Sequence, residues 1–311
     1  MGKAHRLGRI QGHLGRGRLR LPQHSIDRAA PIGVFDSGIG GLSVLQALRA
    51  ALPGEDLVYV ADSAHTPYGE RSDAFITQRT SAIARHLRDA HGAKLLVIAC
   101  NTASAAAAHV VRQDNPGWPV VAIEPALKPA AHHTRTGHVG VLATRSTLAS
   151  RKFAALRAAV TSAHQDVRFS EVACDGLAAS IERWAQGGDG SASRDLLARY
   201  LGQLGELGAA AQAIDTLVLG CTHYPLIREQ IQQQLPPGVG IVDSGLPVAR
   251  HARRLLHSTG LLRDETTGDE ALSQASLRLL ATGSVQTLRA AAQRWLTPTT
   301  AALPDVETLA L

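Results

Sequence analysis

Three short polar clusters stand directly after apolar runs, and two of them begin with a cysteine. Asp36-Ser37 follows Ile32–Phe35, Cys100-Asn101-Thr102 follows Lys94–Ala99, and Cys221-Thr222-His223 follows Thr216–Gly220. A thiol has an ordinary pKa of ~8.5, near enough to neutrality to act as general base or general acid. Inverting a stereocentre by proton transfer needs a base on one face of the carbon and an acid on the other. The reverse reaction exchanges those roles, so two groups of the same type suit the task. Taken singly, Cys100 or Cys221 reads as a buried structural residue. Two thiols in matching places, each beside hydroxyl or amide side chains, read as a functional pair. Disulfide exchange is the competing thiol chemistry, but the sequence holds no C-x-x-C.

Other chemistries fit less well. The turn Asp36-Ser-Gly-Ile-Gly-Gly41 suggests a dinucleotide loop, yet G-x-G-x-x-G would require glycine at 43, where Ser43 stands. Tight turning with close backbone approach accounts for these glycines, and a ligand carboxylate could use the same loop. No G-x-x-x-x-G-K-[ST] phosphate loop occurs. Lys3, Lys94, Lys128 and Lys152 are the four lysines, which leaves few candidates for a pyridoxal Schiff base. The histidines and cysteines lack compact metal-ligand spacing, so no metal site is expected.

The clusters need elements to place them. Ligands of open parallel α/β sheets bind at the carboxyl ends of strands. The helix N-termini that follow offer free N–H groups and partial positive charge, which suit a carboxylate and favour a thiolate. Ile32–Phe35, Leu57–Ala61 and Lys94–Ala99 read as buried strands, with helices over Leu42–Leu52 and Phe75–His91 between them. This alternation predicts an α/β fold with mainly parallel sheets flanked by helices. Val139–Thr144 then echoes Ile32–Ser37, and Thr216–Cys221 echoes Leu95–Cys100, in the same order. Two similar domains are therefore expected, with the active site in the cleft between them. The expected division is 31–123 plus 245–298 for the first domain and 124–244 for the second, followed by a tail over 299–311. Helical patterns at Pro247–His257 and Ser284–Leu296 await a sheet to cover, and Glu124–Pro129 reads as a connection.

Composition bounds the remaining readings. The chain has 311 residues, 45% hydrophobic, with three cysteines and a formal charge of +6. That rules out disorder of the whole chain, and no apolar run reaches the ~18 to 20 residues of a membrane-spanning helix. An odd, scattered cysteine set makes no disulfide framework and points to a reducing compartment. Residues 1–30 carry seven basic residues against Asp27 alone, so the whole net charge belongs to this extension. It is expected to be disordered, and it alone supports nucleic-acid contact; the body is neutral.

At these residues the sequence resembles the glutamate racemases. The matching strings are Gly33-Val-Phe-Asp-Ser-Gly-Ile-Gly-Gly-Leu-Ser43, Tyr59-Val-Ala-Asp62 with Pro67-Tyr-Gly69, and Ile98-Ala-Cys-Asn-Thr-Ala-Ser104. They continue with Ile123-Glu-Pro125, Gly140-Val-Leu-Ala-Thr144, Gly220-Cys-Thr-His-Tyr-Pro225 and Val242-Asp-Ser-Gly245. The resemblance implies a cytoplasmic enzyme without cofactor that supplies D-glutamate for peptidoglycan. It implies that Cys100 handles the proton of the D-enantiomer and Cys221 that of the L-enantiomer. Asp36, Ser37, Tyr68, Gly69, Asn101, Thr102, Thr222 and His223 match the substrate-binding positions of these enzymes, and Glu182 matches an auxiliary acid near the second thiol. Homodimers are common among them. Two positions depart from the pattern: Asp175 replaces a proline after Cys174, itself read as structural, and Ala143 replaces a glycine. The residues leave open aspartate or another acidic amino acid as the substrate.

Overall fold

The computed structural model describes residues 27–263, 275–296 and 303–311. The basic stretch 1–26, with most of the charge expected of the extension, lies outside the described residues. The first sheet contains β1 (Ile32–Asp36), β2 (Leu57–Ala61), β3 (Leu95–Ile98), β4 (Val120–Ala122), β9 (Leu277–Ala281) and β10 (Val306–Thr308). The second contains β5 (His138–Ala143), β6 (Arg168–Ala173), β7 (Thr216–Leu219) and β8 (Gly240–Val242). All strand pairs are parallel, in the orders β10-β9-β2-β1-β3-β4 and β6-β5-β7-β8. The protein is thus α/β with two parallel sheets. Strand β5 lies between β6 and β7 as β1 lies between β2 and β3, so the repeated sequences occupy repeated topological places. One difference concerns the segment expected to be a tail: Val306–Thr308 adds a strand to the edge of the first sheet.

Burial on both faces explains why these strands are nearly continuous Val, Ile and Leu. Alternate side chains divide between two cores. Ile32, Val34, Leu57, Tyr59, Leu95 and Val97 face one, whereas Phe35, Val58, Val60, Leu96 and Ile98 face the other. The first core holds α1 (Leu42–Ala51), α10 (Gly245–Ser258) and α11 (Val285–Trp295); the second holds α2 (Asp73–Asp89) and α3 (Asn101–Asp114). The chain therefore returns after the second sheet to cover the first, as the amphipathic pattern after Pro247 requires. The first core also takes in Leu177 and Ile181 of α7 (Leu177–Ala185) and Leu217 and Leu219 of β7, so apolar packing runs on into the second sheet. Beneath β3, Lys94 is wholly buried and paired with Glu55, as a buried cation must be. No described helix is long and apolar enough to cross a membrane.

Candidate active site

Asp36 closes β1 and is wholly buried. Its Oδ1 accepts the Gly38 N–H at 2.7 Å, and its Oδ2 accepts the Thr222 hydroxyl, from the second sheet, at 3.0 Å. Burial raises the carboxyl pKa to about 6, opposed by the positive charge of His223. Two residues past β3, Cys100 is the N-cap of α3, and its Sγ accepts the Ala103 N–H at 3.4 Å. The thiol also lies 3.5 Å from Ser37 Oγ. A helix N-terminus was expected to favour the thiolate here, but the structure reverses that. Burial, with Asp36 adding to it, pushes the Cys100 thiol up to about 12, because two weak hydrogen bonds do not replace lost water.

The second sheet supplies the opposing group. Cys221 lies two residues past β7, buried, with its sulfur 3.7 Å from His223 Nδ1. His223 Nε2 is 2.8 Å from Glu182 Oε1 on α7. Burial alone would lower the imidazole pKa, but the contacts with Cys221 and Glu182 outweigh it and hold the pKa well above its ordinary value. An imidazolium therefore stands beside the Cys221 sulfur.

Glu182 does a second thing: the same Oε1 accepts the Ile39 N–H, from the glycine turn of the first sheet, at 2.9 Å. This explains the glycines. A Cβ at Gly38 would stand 2.0 Å from Glu182 Oε1, and one at Gly40 2.4 Å from His223 Nδ1. The turn has no side chains there because the second sheet's catalytic candidates press against its backbone. Glu182→Gln keeps the shape and removes the charge, so the His223 pKa should fall. We expect kcat to drop about tenfold, with the pH profile moved, in a steady-state assay.

The remaining candidates divide. Asn101 and Thr102 open α3, buried, and Asn101 Oδ1 has no hydrogen-bond partner among the described residues. A buried acceptor left bare is costly unless a ligand donates to it. Thr102 Oγ1 lies 3.5 Å from Thr144 Oγ1 across the two sheets. Tyr68, in the 3-10 turn Tyr68–Glu70, is 1% exposed, packs on the Phe35 ring at 6.2 Å, and donates its hydroxyl to Asp62 at 2.6 Å. Its only proton is thus committed away from the thiols. Gly69 faces Thr144. Cys174 is buried beside Tyr224, in the same core as Cys221, and burial pushes its thiol up to about 12.

Three residues that serve the site were not singled out as candidates. Thr144 occupies in β5's echo the place of Ser37, a signal the repeat carried. Tyr59 donates to the Gly38 carbonyl at 2.6 Å, fixing the turn from below. Asp62, in the quoted string Tyr59–Asp62, binds Tyr68. No group of three or more His, Cys, Asp or Glu able to hold a metal occurs among the described residues.

The two parallel sheets thus bring one buried thiol each to a shared polar cluster. The profile described as Asp/Glu/Hydantoin racemase matches residues 32–252. A glutamate racemase of Ectopseudomonas mendocina is 48% identical over 259 residues, covering 81% of this chain and 94% of that protein. Among solved structures, a glutamate racemase isoform of Bacillus anthracis superposes with a TM-score of 0.74 at 30% identity, covering 91% of this chain and 97% of that one. A Francisella tularensis glutamate racemase solved in complex with D-glutamate gives a TM-score of 0.72 at 28% identity, covering 91% and 98%. The chain belongs to the Asp/Glu/Hydantoin racemase family.

Proposed function

We propose that the protein interconverts L- and D-glutamate by two-base proton transfer between Cys100 and Cys221, without a cofactor. The observation that carries this reading is the pair of buried thiols at matched strand ends. Cys100 meets Ser37 within the first sheet, and the Asp36–Thr222 hydrogen bond crosses to the second. The substrate follows from the relatives, which bear the name glutamate racemase over most of their length.

The two thiols differ in a way that assigns their starting roles. Cys221, with the His223 imidazolium beside its sulfur, is the base that removes the α-proton of L-glutamate. The electron pair passes to the α-carbon and its carboxylate. Cys100, whose thiolate is opposed by burial and by Asp36, begins protonated and delivers its proton to the opposite face. D-glutamate leaves, with Cys221 now a thiol and Cys100 a thiolate; exchange of these protons with water between turnovers restores the start, and the reverse reaction begins from the opposite protonation pattern. Hydroxyl and amide groups of Ser37, Asn101, Thr102 and Thr222 hold the carboxylates, and Asp36 pairs with the ammonium. Donors fixed in a water-poor site act strongly on the charge developing at the carboxylate. D-glutamate so formed would supply peptidoglycan synthesis.

Two measurements test this reading. A substrate panel should give a kcat/KM for glutamate at least about tenfold above that for aspartate; parity or reversal would move the assignment to another acidic amino acid. Because Asp36 is needed as a carboxylate and protonates at about 6, kcat/KM should fall as pH drops through that value. A profile flat from pH 5 to 8 would remove Asp36 from the substrate's ammonium.

A further inference from the structure

Asp62 is wholly buried, one residue beyond β2, and takes no part in the proton transfer. Its main-chain N–H donates to the Asp36 carbonyl at 2.9 Å. Its carboxylate receives Tyr68 Oη at 2.6 Å, Arg79 Nη2 at 2.7 Å and Nε at 3.0 Å, and Thr282 Oγ1 at 2.7 Å. His65 Nδ1 adds a contact at 3.0 Å. A carboxylate offers about four lone-pair directions. These contacts use them all, so Asp62 has none left to bind substrate or abstract a proton.

We propose that Asp62 is a positioning residue for substrate binding. It ties the Tyr68-Gly69 turn to the end of β1, and so fixes the main chain that meets the substrate. The partners come from five places: the turn, α2 through Arg79, the residue after β9 through Thr282, the end of β1 through Asp36, and the loop after β2 through His65. Four of them are the carboxyl ends of neighbouring strands and the loop above them; Arg79 reaches in from the helix α2. Burial opposes the Asp62 charge, but the bonds from Arg79, Tyr68 and Thr282 outweigh it and hold the pKa below the ordinary carboxylate value. The anchor therefore remains charged across neutral pH. Because the Tyr68 hydroxyl donates its hydrogen bond to Asp62, its own service to binding passes through the placement of Gly69, which lies against Thr144 of the other sheet.

The inference rests on the racemase reading for its substrate, and the test keeps the two apart. Asp62→Asn, Tyr68→Phe, the double variant and Thr282→Val are compared with wild type by steady-state kinetics and by calorimetric titration with D-glutamate. Loss of carboxylate placement weakens ground state and transition state alike, so KM and Kd should rise about tenfold in Asp62→Asn, with kcat within about threefold. Tyr68→Phe should raise KM comparably. The double variant should be no worse than the poorer single, since both cut one linkage. Thr282→Val removes one donor and should raise KM a few-fold. Unchanged KM and Kd in the folded variants, or strictly additive losses, would overturn the proposal. If Asp62→Asn does not fold, Tyr68→Phe and Thr282→Val and their combination decide the matter by the same criterion. A wild-type protein that binds glutamate without racemising it would defeat the functional reading, while the Kd series would still judge Asp62.

Discussion

Replacing either Cys100 or Cys221 by serine is expected to lower racemisation of glutamate by about a thousandfold or more, in both directions. A serine hydroxyl keeps the size and loses a proton that can be moved near neutrality, and positioned acid–base groups contribute on the order of 100- to 10000-fold each. Because each turnover uses both thiols, the double variant should be scarcely worse than either single one. The two lesions should nonetheless differ. A Cys221→Ser enzyme keeps the thiol that burial holds protonated, with a pKa of about 12, whereas Cys100→Ser keeps the thiol that faces the His223 imidazolium. Residual solvent exchange of the α-hydrogen, without inversion, should therefore be greater in Cys100→Ser. Polarimetry and proton resonance on the same samples measure both quantities. A variant that racemises within tenfold of wild type would remove that cysteine from the mechanism.

Asp36→Asn should separate stability from activity. The folded carboxyl titrates at about 6 against an ordinary value of 3.8. The folded state thus binds this proton more tightly than the unfolded chain. Stability contributed by the protonated form is present below pH 4 and is lost as pH rises to about 6. Above that, the buried charge costs about 3 kcal/mol at 1.36 kcal/mol per pKa unit. Asparagine carries no charge and can still accept from Gly38. The variant should therefore melt at a higher temperature than wild type at pH 8, with the difference shrinking towards pH 4. Its kcat/KM should fall at least about 100-fold, since the substrate ammonium loses a buried counter-charge. A stability loss at pH 8 would mean that the Thr222 contact and the His223 field outweigh burial.

Much of this arrangement was legible in the residues. Continuous apolar runs at Ile32, Leu57 and Leu95 could only be strands covered on both faces, and the echo of Val139 and Thr216 placed two like units in order. The edge strands were harder to see. Val120–Ala122 and Gly240–Val242 are three residues each, too short to show a period, and Val306–Thr308 gains its place from β9 rather than from its own pattern. Both thiols were readable because each follows a strand. Their inequality was not, since it depends on Glu182 reaching His223 from 41 positions away. The glycine turn shows the same limit. Its motif failed as a dinucleotide loop, but only the second sheet pressing on Gly38 and Gly40 reveals what the missing side chains make room for. Asp62 was quoted within a string, yet its partners Arg79 and Thr282 meet it only in the folded chain.

Two thiols moving protons on opposite faces of one carbon leave a distinct signature in heavy water. Purified, folded protein is incubated with L-glutamate or with D-glutamate in D2O, without added cofactor, and sampled before equilibrium. Two separate bases predict inversion in both directions, with deuterium at the α-carbon of the product and little in the unconverted substrate. Equal deuterium in both enantiomers from the first time points would indicate a single base serving both faces. Neither inversion nor deuterium would contradict the account altogether.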